Sequence, residues 1–158
     1  MRLLPIMRLL ILLMALFMPP LAWAETAPHT TWPLMGQPTR EVGIENFRGM
    51  WVLVNFFASW CRPCVAEHPQ LMQLSQQRGL VLLGVAYRDR DESTNSFLRH
   101  HGSPYAAVGI DLSGRGAAAW GVRGIPQSFL VNPQGQIVWH HAGVLSVNNL
   151  ASIREQIQ

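Results

Sequence analysis

The chain contains no lysine. Its 12 basic residues are all arginine, set against 9 acids, and charged residues make up only 13% of the sequence. The calculated pI of about 9.5 overstates how basic the protein is. Arg2 and Arg8 lie in a segment read below as removed, and without them ten arginines face nine acids. No basic stripe is left to hold a phosphate backbone, which argues against nucleic acid as a partner. Cysteine is equally scarce. Cys61 and Cys64 are the only two, too few for a disulfide-stapled scaffold or an all-cysteine zinc centre. No internal repeat or low-complexity tract is present. With 49% hydrophobic residues the chain is neither disordered nor fibrous.

The first two dozen residues read as an address. Arg2 and Arg8 give a positive start, Leu9 to Met18 an uncharged apolar core, Pro19-Pro20 a helix break and Ala22-Trp23-Ala24 the small residues that a signal peptidase reads. The alternative is a permanent membrane anchor, but Leu9 to Ala24 falls short of the roughly 20 residues a spanning helix needs and contains two prolines. Residues 1–24 are therefore expected to be a signal peptide, with a membrane anchor as the alternative. The remainder is expected in the periplasm, facing an oxidising compartment in either case. Residues 25–40 carry Pro28, Pro33 and Pro38 and read as a linker or loosely packed arm, followed by one domain over 41–158.

Beyond the arm, the hydrophobic pattern alternates between strand and helix. Trp51 to Phe57 is a continuous apolar run, as in a central strand covered on both faces. Pro63 to about Gln77 has helical spacing and stops at Arg78-Gly79. Leu80 to Ala86 predicts a second buried strand, and Asp91 to His101 a helix capped by Asp91 or Ser93 and ended by Gly102. Ala107 to Ile110 reads as a short strand and Ala117 to Trp120 as a helical turn. Ser128 to Val131 and Gln136 to His140 form a hairpin about Asn132-Pro133-Gln134-Gly135. Asn148 to Gln158 reads as a terminal helix capped by Ser146 or Asn148. This order is that of an α/β thioredoxin fold with a central insert and an N-terminal extension.

The chemistry is expected at Trp60-Cys61-Arg62-Pro63-Cys64. A C-x-x-C between a buried strand and a helix puts Cys61 at the helix N-terminus, where free N–H groups and the helix dipole stabilise a thiolate. Cys64, one turn on, lies on the same face and can close a disulfide with it. Arg62 adds fixed positive charge, and Pro63 fits a first turn that has no use for its N–H. Cys61 is then the attacking thiol and Cys64 the one that resolves the mixed disulfide. Two other readings stay open. One is a purely structural disulfide, whose small loop would contribute little stability. The other is a zinc or copper carrier using Cys61, Cys64 and His68 with a fourth ligand from His100, His101, His140 or His141. Haem attachment needs C-x-x-C-H, and residue 65 is Val.

The stretch from Trp60 to Cys64 with Pro69 resembles thioredoxin, and Gly121-Val122-Arg123-Gly124-Ile125-Pro126 its cis-proline loop. Ala66-Glu67-His68, Tyr87-Arg88-Asp89, Gly102-Ser103-Pro104-Tyr105-Ala106, Gly121 to Phe129 and His141-Ala142-Gly143 together resemble the DsbE/CcmG family of periplasmic thiol:disulfide interchange proteins of cytochrome c maturation. The resemblance covers roughly 40–158. It implies a protein-disulfide reductase without a separate cofactor. Electrons would come from a membrane donor of the thiol-reducing pathway and go to the cysteines of apocytochrome c or its maturation factors. Pro126 would be cis, with Ile125 offering backbone to a substrate strand; the bland alternative is a trans turn proline. Trp60, Arg62, Pro63 and Gly143 would complete the substrate surface, although Trp60 could equally be core. Glu67 would be a half-buried carboxylate that takes the proton of Cys64, against the alternative of a solvent-facing helix residue. Asn55 stands where cytoplasmic thioredoxins carry an acid. Gln127 after the proline, and Arg88 and Arg90 in the Tyr87 stretch, depart from the family pattern toward a less acidic groove.

Overall fold

The computed structural model describes residues 25–158; the expected signal segment 1–24 lies outside them. In chain order the strands are β1 (Glu25–Thr26), β2 (Thr31–Leu34), β3 (Gln37–Gly43), β4 (Trp51–Phe57), β5 (Leu80–Tyr87), β6 (Ala107–Asp111), β7 (Gln127–Val131) and β8 (Gln136–Ala142). The helices are α1 (Arg62–Leu74), α2 (Asp91–His101), α3 (Arg115–Ala119) and α4 (Val147–Gln156), with a 3-10 turn at Ile44–Phe47. One eight-stranded sheet runs in the order β1-β8-β7-β4-β5-β6-β2-β3. Strands β4, β5 and β6 are parallel, and β7 and β8 return antiparallel beside β4. The β4-α1-β5 and α3-β7-β8-α4 halves make a thioredoxin fold. Between them α2 and β6 form the insert that widens the sheet.

The apolar run of β4 explains the layering. A strand turns alternate side chains to opposite faces. Val52, Val54 and Phe56 therefore join Trp32, Trp120 and Phe129 on one side. Leu53 meets Leu71 and Leu74 of α1 and Leu150 and Ile153 of α4 on the other, and Phe57 meets Phe97 and Leu98 of α2 on that same side. Asn55 is the polar exception on this second face, fully buried and paired across the strands with Ser128 of β7 and Gly84 of β5.

The expected linker over 25–40 is corrected. Its residues build β1, β2 and the start of β3, and Trp32 is only 2% exposed, edge-on to Phe56 with ring centroids 6.1 Å apart. Burying an indole outweighs what the prolines cost a sheet. Pro33 is tolerated because β2 meets β6 only at Leu34–Gly109, and Pro38 because β3 is the edge strand. At the other edge β1 pairs with β8 beside the hairpin turn, and the Ala27 N–H donates to the Gly135 carbonyl at 3.0 Å. Helix α1 ends at Leu74 rather than near Gln77, since Ser75 turns its N–H and hydroxyl back onto the last carbonyls. Neither Asp91 nor Ser93 caps α2. The N-cap is Arg90, whose N–H is taken by Asp89 Oδ1 at 2.9 Å. Ser146 caps α4 as expected.

Candidate active site

Strand β4 ends at Phe57 and delivers the chain through Ala58 and Ser59 to Cys61, the N-cap of α1. The Cys61 sulfur receives the Cys64 N–H at 3.2 Å, a donation that a helix start can offer to a thiolate. Cys61 and Cys64 are joined in a disulfide with Cα atoms 5.3 Å apart, and both are buried, at 4% and 2% exposure. Arg62 and Pro63 stand exposed in the first turn. Trp60 is 60% exposed, so it is surface and not core; its indole N–H reaches the Arg88 carbonyl at 3.4 Å.

The other predicted substrate residues gather at the same end of the sheet. Ile125 packs against the cluster that contains both cysteines. The Ile125–Pro126 bond is cis, and the Pro126 carbonyl accepts the Gly143 N–H at 2.9 Å. Gly143 has φ +111°, a backbone shape that suits glycine. A loop from β8 is thereby fixed beside the proline.

Glu67 lies three residues past Cys64, on the same helix face. It is fully buried, which rejects the solvent-facing alternative. Burial pushes its carboxyl up to about 7, opposed by N–H donation from Asn55 and from Leu145. Asn55 Nδ2 donates to Oε1 at 2.9 Å and the Leu145 backbone N–H to Oε2 at 3.0 Å. Asn55 also donates to Ser128 Oγ at 3.0 Å and accepts from the Tyr105 hydroxyl at 2.6 Å. A carboxyl whose proton comes and goes near neutrality, one helical turn from a resolving thiol, is equipped for proton transfer.

His68 is held by groups other than the sulfurs. Its Nε2 meets the Gly102 carbonyl at 2.9 Å and its ring stands edge-on to Phe97. Burial holds its pKa below the usual histidine value. Among the described residues no cluster of three or more His, Cys, Asp or Glu side chains is placed to share a metal ion. His100, His101 and His140 are exposed and His141 half-buried, none of them brought to the cysteines.

Sequence reasoning assigned no role to Asp89. It is 4% exposed, and its Oδ2 accepts the Ser59 N–H at 2.7 Å and the Thr94 hydroxyl at 3.1 Å. It ties the loop leading to Cys61 onto the start of α2. An acid between a strand end and a helix start was the available signal.

The AhpC/TSA family matches residues 24–140. The thiol:disulfide interchange protein CycY of Rhizobium leguminosarum bv. viciae is 44% identical over 61% of this chain and 52% of its own length. The chain thus spans about half of that curated relative. The thiol:disulfide interchange protein DsbE of Vibrio cholerae is 30% identical over 79% of this chain and 67% of its own. A crystal structure from Chlorobium tepidum, described as a candidate DsbE, superposes with a TM-score of 0.70 at 25% identity, covering 85% of this chain and 94% of the other. With its fold, its buried Cys61–Cys64 bridge and these likenesses, the chain belongs to the AhpC/TSA family and, within it, to the thiol:disulfide interchange proteins of the DsbE kind.

Proposed function

We propose that the chain is a periplasmic thiol:disulfide oxidoreductase acting as a dithiol reductant, its substrate being the cysteine pair of apocytochrome c or a maturation factor that holds it. The observation that carries the reading is the Cys61 sulfur at the N-cap of α1, bridged to Cys64. The names of the curated relatives, and the motifs shared with proteins of cytochrome c maturation, support the substrate class.

In the reduced protein the Cys61 thiolate attacks one sulfur of the substrate disulfide. A mixed disulfide forms and one substrate thiolate leaves. Cys64 then gives its proton to Glu67 and attacks the Cys61 sulfur, re-forming the Cys61–Cys64 bond and releasing the second substrate thiolate. Two electrons pass from the protein dithiol to the substrate, and no other cofactor takes part. A membrane electron donor of the thiol-reducing pathway returns Cys61 and Cys64 to the dithiol. The substrate lies extended across Trp60, Arg62, Pro63, Ile125, Pro126 and Gly143, with the Ile125 backbone pairing as in strand addition.

Replacing Cys64 by Ser strands the mixed disulfide on Cys61, because no thiol remains to resolve it. Isolation of this adduct from the periplasm, followed by mass spectrometry, should recover apocytochrome c or a maturation partner. A broad set of unrelated exported proteins would instead make the chain a general reductase or oxidase, and no adduct at all would overturn the reading.

A further inference from the structure

Glu67 does not meet its surroundings directly on every side; one of its two donors is itself held by a third residue. The Tyr105 ring lies over Gly84, where an added Cβ would come within 2.9 Å of it, and stacks on Phe57 with centroids 4.9 Å apart. From there its hydroxyl reaches Asn55 Oδ1 at 2.6 Å. Gly84 is the β5 neighbour of Asn55, so the missing side chain leaves the room in which this contact is made.

We propose that Tyr105 is a positioning residue of the active site: its hydroxyl holds the Asn55 amide with the NH2 group, not the carbonyl, toward Glu67. The inference rests on the reading of Glu67 as acceptor of the Cys64 proton. A phenol needs an acceptor for its proton, and Asn55 Oδ1 is the one it reaches. With Oδ1 engaged, Asn55 turns Nδ2 to Glu67 Oε1 and to Ser128 Oγ. Without the hydroxyl, the amide can rotate by half a turn, with Ser128 turning its own proton to follow. The carbonyl would then face Oε1, an arrangement that suits only the protonated carboxyl. Glu67 receives Asn55 from β4 and the Leu145 N–H before α4, and Asn55 in turn meets Ser128 of β7 and Tyr105 from the segment after α2; within this network the groups that titrate are Glu67 and Tyr105. Burial raises the Tyr105 pKa well above the ordinary phenol value, so it stays a donor throughout the working range.

The test is Tyr105→Phe, which keeps the ring stacked on Phe57. In the variant the Glu67 carboxyl, followed by carbon NMR, should titrate about one pH unit higher than in the parent. The rate of resolution at pH 7 should fall several-fold and recover at higher pH. In a Glu67→Gln background, Tyr105→Phe should leave the pH profile of exchange unmoved. An unshifted Glu67 midpoint in Tyr105→Phe overturns the assignment of Tyr105 alone. An unchanged profile in Glu67→Gln by itself overturns the proton-acceptor reading beneath it. Should Tyr105→Phe not fold, the side-chain amide resonances of Asn55 in the unaltered protein decide: they should titrate with the Glu67 midpoint, and their indifference to it overturns the proposal.

Discussion

At the scale of one residue, Glu67 couples the stability of the fold to pH. In the unfolded chain its carboxyl loses a proton near 4.5, whereas in the folded protein it keeps it until about 7. Between those values the native state binds more protons than the unfolded one, so its stability falls as pH rises. A displacement of that size corresponds to roughly 3 kcal/mol. Glu67→Gln should remove that part of the slope in urea midpoints measured from pH 5 to 8, and it should slow resolution of the mixed disulfide. A variant with the parental slope and parental kinetics would refute both. The cysteines and Glu67 were legible in the sequence because their spacing lies within one helix. Asn55 stood out only as the residue that takes the place of the acid in cytoplasmic thioredoxins. Its partners Tyr105 and Ser128, and the Leu145 N–H that meets Glu67, come from distant parts of the chain. Spacing along a helix says nothing about such contacts.

At the scale of elements, α4 does more than cover the sheet. Its cap Ser146 follows directly on Leu145, the residue whose N–H holds Glu67. Ser146 accepts the Asn149 N–H and donates to its side-chain oxygen, fixing where the helix begins. Ser146→Ala should cost about 1 kcal/mol in chemical denaturation, and with the cap loosened the Glu67 titration should broaden or move. A loss of stability with an unmoved Glu67 would show that the two ends of this loop are uncoupled. The cap was readable in advance, since serine before an apolar helix is a local signal. The cap of α2 was not, although its span was: the Arg90 N–H is satisfied by Asp89, outside the helix, which also holds the loop before Cys61.

Across the whole molecule, the strongest departure from expectation lies in residues 25–40. Prolines and polar residues hid two strands whose cohesion comes from one large side chain. Trp32 closes the face of the sheet formed by Phe56, Trp120 and Phe129, and Gly109 and Gly116 make way for its ring. Trp32→Ala should destabilise the protein by about 3–5 kcal/mol in urea unfolding, a loss that no loose arm would show; a change below 1 kcal/mol would restore the linker reading. Strands β4 and β5 could be foreseen because they are apolar throughout. Strands β2 and β3 could not, because their pairing is decided by a tryptophan finding its seat far along the chain.

The pairing of β1 with β8 marks one end of the sheet. Glu25 lies next to Ile137 and close to the Gly135 turn, at the pole of the sheet where β4 begins, and Cys61 follows the pole where β4 ends. Substitutions at the hairpin turn or its β1 partner therefore act at the far end of the sheet from the sulfurs.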